Sequence, residues 1–173
     1  ASRNVVYSKD GRGEVFVEPG TYHVYASRGL EYSLAHSQIT LASGQEQQLT
    51  LNISKVVDTS GFISGDFHVH AASSFDSSVS LQSRVLSFAG EGVSVLVSTE
   101  HDFIEDYAPA VQALGLEHLL KTVVGVESTG FVPTPLLPRT IGHNNAWPVP
   151  ADPKSPRRGA PADERIEPAE LYE

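Results

Sequence analysis

Two histidines, His68 and His70, stand one residue apart in the run Gly65-Asp66-Phe67-His68-Val69-His70. If this run is an extended strand, both side chains point to the same face, about 6.6 Å apart along the strand. Neutral imidazole is a common ligand of zinc, iron and manganese, so the pair predicts one half of a metal site. A chain with seven histidines also produces such a pair by chance, so the hypothesis depends on which other ligands the chain supplies.

The elements that must position these histidines change character near residue 60. Residues 1–60 alternate large and polar side chains between turns that contain Gly or Pro, which predicts a small antiparallel β-domain. We interpret it as an accessory sheet or as the end of a larger β-domain. The strands predicted there are 14–17, 21–27, 33–41 and 48–54, the last two forming a hairpin.

From residue 61 to residue 173, predicted strands and helices alternate. The strands are 62–70, 93–98 and 121–126, and the helices are 80–91 and 107–114. Successive βα units imply a parallel sheet or barrel with right-handed crossovers, so the predicted fold class is α/β. Residues 147–161 contain five prolines and predict a long exposed loop, and 167–173 predict the start of a further helix.

Histidines or carboxylates follow every predicted strand of this second part. The first strand ends at His68 and His70, with Asp76 in the next loop, and the later ends carry 99–102, 125–128 and 142–145. Because the carboxyl ends of parallel strands converge on one face, we expect these side chains to lie close together. The chain has no cysteine, so the ligands are nitrogen and oxygen only, a set that suits two or three divalent ions of Zn, Mn or Fe.

Composition limits the partners of the chain. Twelve basic and twenty-one acidic residues give a net charge of −9, which repels nucleic acid and anionic membranes. No apolar run approaches the roughly 18 residues of a membrane-spanning helix. We therefore expect a small-molecule substrate, no nucleic-acid partner and no membrane. The absence of cysteine and the preceding β-domain favour an exported bacterial protein, although the sequence does not fix the location.

The ligand motifs resemble those of the PHP (polymerase and histidinol phosphatase) metal-dependent hydrolases. The similarity lies in Asp66-Phe67-His68-Val69-His70, Thr99-Glu100-His101, Gly125-Val126-Glu127 and Gly142-His143, in matching order and spacing over residues 61–173. The branch that includes carbamate and phosphoester hydrolases is the most similar. The resemblance implies a distorted β/α barrel, of which this chain would contain an incomplete, N-terminal portion.

The resemblance also implies a role for each ligand. His68 and His70 would bind one ion, which Glu127 would bridge to a second ion at His143. His101 would bind a third ion or complete the cluster, and Asp76 stands where the family often has another ligand. Asp66 would orient a ligand histidine, and with His101 and Glu127 it makes up the predicted catalytic set. Ser74-Phe75-Asp76-Ser77-Ser78 would serve equally well as a turn or helix cap.

Two features depart from the family pattern. Glu100 stands where the second motif usually has Asp, a change that we expect to be tolerated. The family has further His and Asp ligands downstream, whereas no histidine follows His143 here. We therefore expect the chain to be a fragment, or a second chain to complete the barrel and its ligand set.

The sequence leaves two functions open. The first is a hydrolase in which a water activated by the ions attacks a phosphoester or a related ester or carbamate. The alternative is a non-catalytic binding module for carbohydrate or protein, with a partial, structural metal site. His23, His36 and His118 fall outside the motifs, and we interpret them as surface or packing residues.

Overall fold

The computed structural model describes residues 4–130, 135 and 142–163. These residues form a mixed α/β structure with seven strands, two α-helices and one 3₁₀ turn at Pro156–Gly159. The helices are α1 (Leu81–Gly90) and α2 (Ala108–Leu114). The strands are β1 (Gly20–Ala26), β2 (Ala35–Leu41), β3 (Gly65–Val69), β4 (Val95–Ser98), β5 (Lys121–Val124), β6 (Val126–Gly130) and β7 (Gly142–Ala146).

The strands pair into three small sheets. β1 and β2 are antiparallel, β3, β4 and β5 are parallel in that order, and β6 and β7 are antiparallel. Within the described residues the strands do not close into a barrel. The parallel sheet and the two helices confirm the α/β class, whereas the incomplete PHP-type barrel stays a prediction.

The N-terminal segment is less regular than the sequence predicts. β1 and β2 are confirmed, but no strand forms over 14–17 or 48–54, so those two predictions are wrong. β2 takes β1 as its partner, and the predicted hairpin is joined only near its open end, where the Ser33 amide donates to the Ser54 carbonyl at 2.9 Å. The predicted inward-facing side chains of 48–54 are nevertheless half-buried, at Leu49, Leu51 and Ile53. An alternating sequence therefore forms a strand only where a neighbouring strand pairs with it.

Both helices are confirmed, with ends that the sequence explains. Ser80 caps α1, its hydroxyl accepting from the Ser83 amide at 3.2 Å, as expected for a serine at this position. Gly115 ends α2 with φ at 69°, a left-handed conformation that glycine adopts without steric cost. The two helices pack together beside the parallel sheet.

The hydrophobic core lies between the parallel sheet and the two helices. No residue between 4 and 68 is buried, so this core begins at the end of β3. Burying one Leu or Val side chain contributes roughly 1.5–3 kcal/mol to the free energy of unfolding. The core therefore stabilises the part of the chain that carries the strand ends. The core residues are Val69, Ala71, Val85, Ala89, Leu96, Tyr107, Ala110, Val111, Leu116 and Leu120.

Gly125 divides the predicted strand 121–126 into β5 and the start of β6. A Cβ at this position would lie 2.7 Å from the Ser98 carbonyl oxygen and 3.0 Å from that of Ala146. Only glycine permits so close an approach of three backbone segments. The chain therefore leaves the parallel sheet here, and β6 carries Glu127 past the end of β4 into the antiparallel pair.

The C-terminal part of the described chain is a loop, as predicted. Residues 147–163 contain only the 3₁₀ turn at Pro156–Gly159. The predicted helix over 167–173 lies outside the described residues. Neither helix in the described ranges has the length and apolar character needed to cross a membrane.

Candidate metal centre

β3 delivers the first two predicted ligands, His68 and His70. The pairing of β3 with β4 shifts by one residue between Asp66 and Val69, a bulge of the kind that re-aims side chains at functional sites. The end of β3 is held to Thr99, whose hydroxyl accepts from the Val69 amide at 2.9 Å. The two imidazole rings lie 4.9 Å apart, and both face the same carboxylate, that of Glu127.

The antiparallel pair supplies the opposite wall of the site. Glu127 of β6 stands opposite Asn145 of β7, and Thr129 stands opposite His143. Since side chains alternate along a strand, these four lie on one face of the pair. His101 joins them after β4, through a bridge in which the Glu127 amide donates to the Glu100 carbonyl at 3.0 Å.

Glu127 is the centre of the cluster and is 3% exposed. Its two carboxylate oxygens face nitrogens of four different imidazoles. Oε2 lies 2.8 Å from His70 Nε2, 3.3 Å from His101 Nδ1 and 3.6 Å from His68 Nε2, and Oε1 lies 2.9 Å from His143 Nδ1. The carboxylate therefore has ligand-type atoms of four histidines around it.

Two buried atoms in this cluster lack hydrogen bonds. Neither His70 Nε2 nor Glu127 Oε2 has a hydrogen-bond partner within the described residues, although they lie 2.8 Å apart. Buried polar atoms are normally satisfied, so the pair requires an explanation. Ligands about 2.0–2.2 Å from one ion lie roughly 2.8–3.6 Å from each other in tetrahedral or octahedral geometry. The distances around Glu127 fit this range, and the donor set therefore fits a divalent ion.

Asp76 reaches the cluster from the loop after β3. Its Oδ1 lies 3.1 Å from His70 Nδ1, and its Oδ2 lies 3.3 Å from His101 Nε2. Burial opposes ionisation, but hydrogen bonds and charge from His70 and His101 outweigh it and lower the pKa of Asp76. The Asp76 carboxylate is therefore ionised at neutral pH and offers oxygen atoms as metal ligands.

All six predicted ligands are brought together. They form three sets whose ligand atoms lie within 4.8 Å of one another: His68, His70 and Glu127; His70, Asp76 and His101; and His101, Glu127 and His143. A neutral imidazole has one lone pair, whereas a carboxylate has two oxygens. His70 and His101 each belong to two sets but can serve only one ion each, while Glu127 can serve two.

Asp66 lies outside the three sets. Its Oδ1 accepts a hydrogen bond from the His68 backbone amide at 3.1 Å. Asp66 thus contacts the main chain of a predicted ligand histidine, and its orienting role stays a prediction. Asp102 and Asp106 accept from the backbone amides of Thr129 and Ala108, at 2.9 and 2.8 Å, and so hold the main chain.

Glu100 has a structural role that the sequence does not reveal. This fully buried carboxylate accepts from the Ala71 amide at 2.9 Å, from the Ser74 hydroxyl and from the Tyr107 hydroxyl. Ser74 in turn accepts from the His101 amide at 3.0 Å. The network ties the loop that carries Asp76 to the segment that carries His101.

Two further polar residues touch predicted ligand histidines and are missing from the sequence prediction. The Thr129 hydroxyl lies 2.6 Å from His101 Nδ1, and the Asn145 amide lies 2.6 Å from His68 Nδ1. Each stands two residues after a predicted ligand, Glu127 or His143. Strand alternation would have found both, had β6 and β7 been recognised as strands.

The site is closed on one side and open on the other. Glu127 and His101 are buried, whereas the side chains of His68 and His143 are 50% and 49% exposed. Phe75, itself exposed, stacks on the His101 ring with centroids 4.4 Å apart. A small molecule from solvent can therefore reach His68 and His143, on the exposed side of the cluster.

The remaining histidines lie apart from this cluster. His23 and His36 are exposed on the β1–β2 pair, with Nδ1 and Nε2 3.0 Å apart, and His118 is exposed after α2. Their interpretation as surface residues is confirmed.

Fold and site together define a mixed α/β protein with a candidate metal centre of histidine and carboxylate ligands. Comparisons of the chain with protein-family models, with curated proteins and with solved structures found no match. The resemblance to the PHP hydrolases therefore rests on the four sequence motifs.

Proposed function

We propose that the chain carries the metal centre of a metal-dependent hydrolase of the PHP type. The observation that carries this proposal is the Glu127 carboxylate, buried among imidazole nitrogens at 2.8–3.6 Å. An ion would satisfy Glu127 Oε2 and His70 Nε2, the two buried atoms without hydrogen bonds. The four sequence motifs support the family assignment.

The donor set favours two or three ions of Zn, Mn or Fe. All six ligands offer nitrogen or oxygen, and imidazole with carboxylate suits these metals. Glu127 would hold one ion with His68 and His70 and a second with His143, using one oxygen for each. Asp76 and His101 would hold or complete a further ion.

The proposed reaction is hydrolysis of a phosphoester or a related ester or carbamate. The ions, when bound, would lower the pKa of a water molecule and polarise the electrophile. The chain itself would supply the buried carboxylate that fixes the ligands, the open side at His68 and His143, and Asp66, which holds the backbone of His68. A small-molecule substrate fits this opening.

Metal content and turnover test this proposal. We expect purified protein, loaded with Mn²⁺ or Zn²⁺ and desalted, to retain stoichiometric metal by elemental analysis and to hydrolyse p-nitrophenyl phosphate or p-nitrophenyl acetate. Chelation should abolish turnover, and the ion should restore it. In the His68→Ala, His70→Ala double variant at least one equivalent should be lost, while the exposed His118→Ala control should bind like the parent protein. Absence of stoichiometric metal in the parent protein would refute the proposal.

The alternative, a non-catalytic binding module, draws on the β1–β2 pair. Tyr25 stacks on His36 with centroids 4.5 Å apart, and both are exposed. Exposed tyrosine is common at binding surfaces, because its ring is apolar and its hydroxyl is polar. Stoichiometric metal without turnover on any ester, together with polysaccharide binding that Tyr25→Ala abolishes, would favour this function over the hydrolase.

A further inference from the structure

His68 meets two different groups through its two ring nitrogens. Its Nε2 faces the Glu127 carboxylate at 3.6 Å, and its Nδ1 lies 2.6 Å from the side-chain amide of Asn145. A neutral imidazole carries hydrogen on one nitrogen and a lone pair on the other. For Nε2 to bind an ion, the hydrogen must be on Nδ1, and Nδ1 then needs an acceptor.

Asn145 can provide that acceptor in one of its two orientations. The structure places Nδ2 beside His68 Nδ1, and a half-turn of the amide exchanges Nδ2 and Oδ1 in almost the same space. With Nδ2 at this position, the amide donates to Nδ1 and the ring hydrogen is forced onto Nε2. With Oδ1 there, Nδ1 donates, and the Nε2 lone pair points to Glu127.

The second imidazole of the motif shows the same arrangement with a carboxylate. His70 Nε2 lies 2.8 Å from Glu127 Oε2, and its Nδ1 lies 3.1 Å from Asp76 Oδ1. An ionised carboxylate only accepts hydrogen bonds, so Asp76 places hydrogen on Nδ1 of His70. Histidine ligands of metals regularly have such an acceptor on the other nitrogen.

We propose that Asn145 is a positioning residue of the metal centre. Its Oδ1 accepts a hydrogen bond from His68 Nδ1 and thereby holds the Nε2 lone pair toward the ion. Asn145 stands opposite Glu127 on the β6–β7 pair, so one pair of strands supplies both the carboxylate and the group that orients its histidine partner. The inference rests on the metal centre of the proposed function.

Three variants test it, with zinc affinity measured by competition with a chromophoric chelator. Asn145→Leu keeps the size of the side chain but removes the acceptor. We expect this variant to bind zinc about 10-fold more weakly than the parent protein. This is the lower end of the range for partners of ligand histidines, because the contact between Asn145 and His68 is exposed. Asn145→Asp keeps an acceptor and should bind at least as tightly as the parent protein. Asn52→Leu, the same change at an exposed position of the N-terminal segment, should bind as the parent protein does. Circular dichroism confirms that each variant folds.

A spectroscopic measurement separates positioning from a structural role. In zinc-loaded protein with ¹⁵N-labelled histidine, the His68 ring should show hydrogen on Nδ1 and the ion on Nε2. Hydrogen on Nε2, or unchanged affinity in Asn145→Leu, would overturn the proposal while leaving the metal centre intact. If the parent protein binds no zinc, the proposed function fails and this inference fails with it.

Discussion

The hydroxyl of Tyr107 donates a hydrogen bond to the carboxylate of Glu100, and both side chains are fully buried. Tyr107 is the N-cap residue of α2, and Glu100 immediately precedes the ligand His101. Burial and the contact with Glu100 raise the pKa of Tyr107, so the phenol is protonated and donates at neutral pH. The helix is thereby connected to the candidate centre.

Replacing Glu100 should destabilise the protein and the centre together. In Glu100→Gln an amide NH₂ would face donors from Ala71, Ser74 and Tyr107, and an unsatisfied buried donor costs about 1–3 kcal/mol. We expect that loss in the free energy of unfolding, measured in urea, and weaker zinc binding. Tyr107→Phe removes a single donor and should have the smaller effect on both. Equal stability of Glu100→Gln and the parent protein would contradict this account of the network.

Thr129 should influence the centre through His101. Its hydroxyl lies 2.6 Å from His101 Nδ1, and Thr129→Val removes the hydroxyl at nearly constant volume. We expect zinc affinity to fall about 10-fold, as for other partners of ligand histidines. Thr129→Ser restores a hydroxyl and should recover most of the affinity. Failure of serine to improve on valine would assign Thr129 to packing alone.

Metal affinity should depend on pH through the imidazoles. Protons compete with the ion for histidine nitrogen, so zinc binding should weaken as the pH falls from 7.5 to 5.5. Asp76 should not contribute in this range, because its pKa is lowered from 3.8 and it stays ionised. Titration calorimetry between pH 7.5 and 5.5 measures the effect. Affinity that stays constant over this range would argue against imidazole ligands.

Asp76 should also affect the stability of the metal-free protein. A carboxyl with a lowered folded-state pKa contributes stability above its unfolded value, and this contribution disappears as the pH falls through the folded-state pKa. We therefore expect Asp76→Asn to lower the urea midpoint at pH 6 and to match the parent protein well below pH 3.8. The difference should be small, since the side chain is 46% exposed. A deficit that persists unchanged at the acid end would mean that charge is not its cause.

Gly125→Ala tests the junction between β5 and β6. The added methyl would meet the Ser98 carbonyl oxygen at 2.7 Å, and overpacking of this kind costs about 1–3 kcal/mol. Because β6 carries Glu127, zinc affinity should fall as well. Gly20→Ala is the matched control, since its nearest contact would be an ordinary 3.5 Å to Tyr22. Similar stabilities of the two variants would show that the junction tolerates a side chain.

Reasoning from strand ends predicted which side chains cluster better than it predicted the strands themselves. His101 and Glu127 follow apolar runs rich in valine, which mark strands, so their convergence could be predicted. β7 escaped prediction because Gly142–Ala146 reads Gly-His-Asn-Asn-Ala, a composition typical of turns. The contact of Tyr107 with Glu100 depends on the path of the intervening loop, which no periodicity encodes.

A metal ion bound at Glu127 would connect the parallel sheet to the antiparallel pair. Glu127 is the second residue of β6. In this region the parallel sheet and the antiparallel pair are connected by the backbone at Gly125 and by one isolated bridge, between His101 and Glu127. An ion held by His68, His70 and Glu127 would crosslink the two sheets in a chain that has no disulfide to do so. Amide hydrogens of β6 and β7 should then exchange more slowly when the ion is present, while those of β1 and β2 exchange at an unchanged rate.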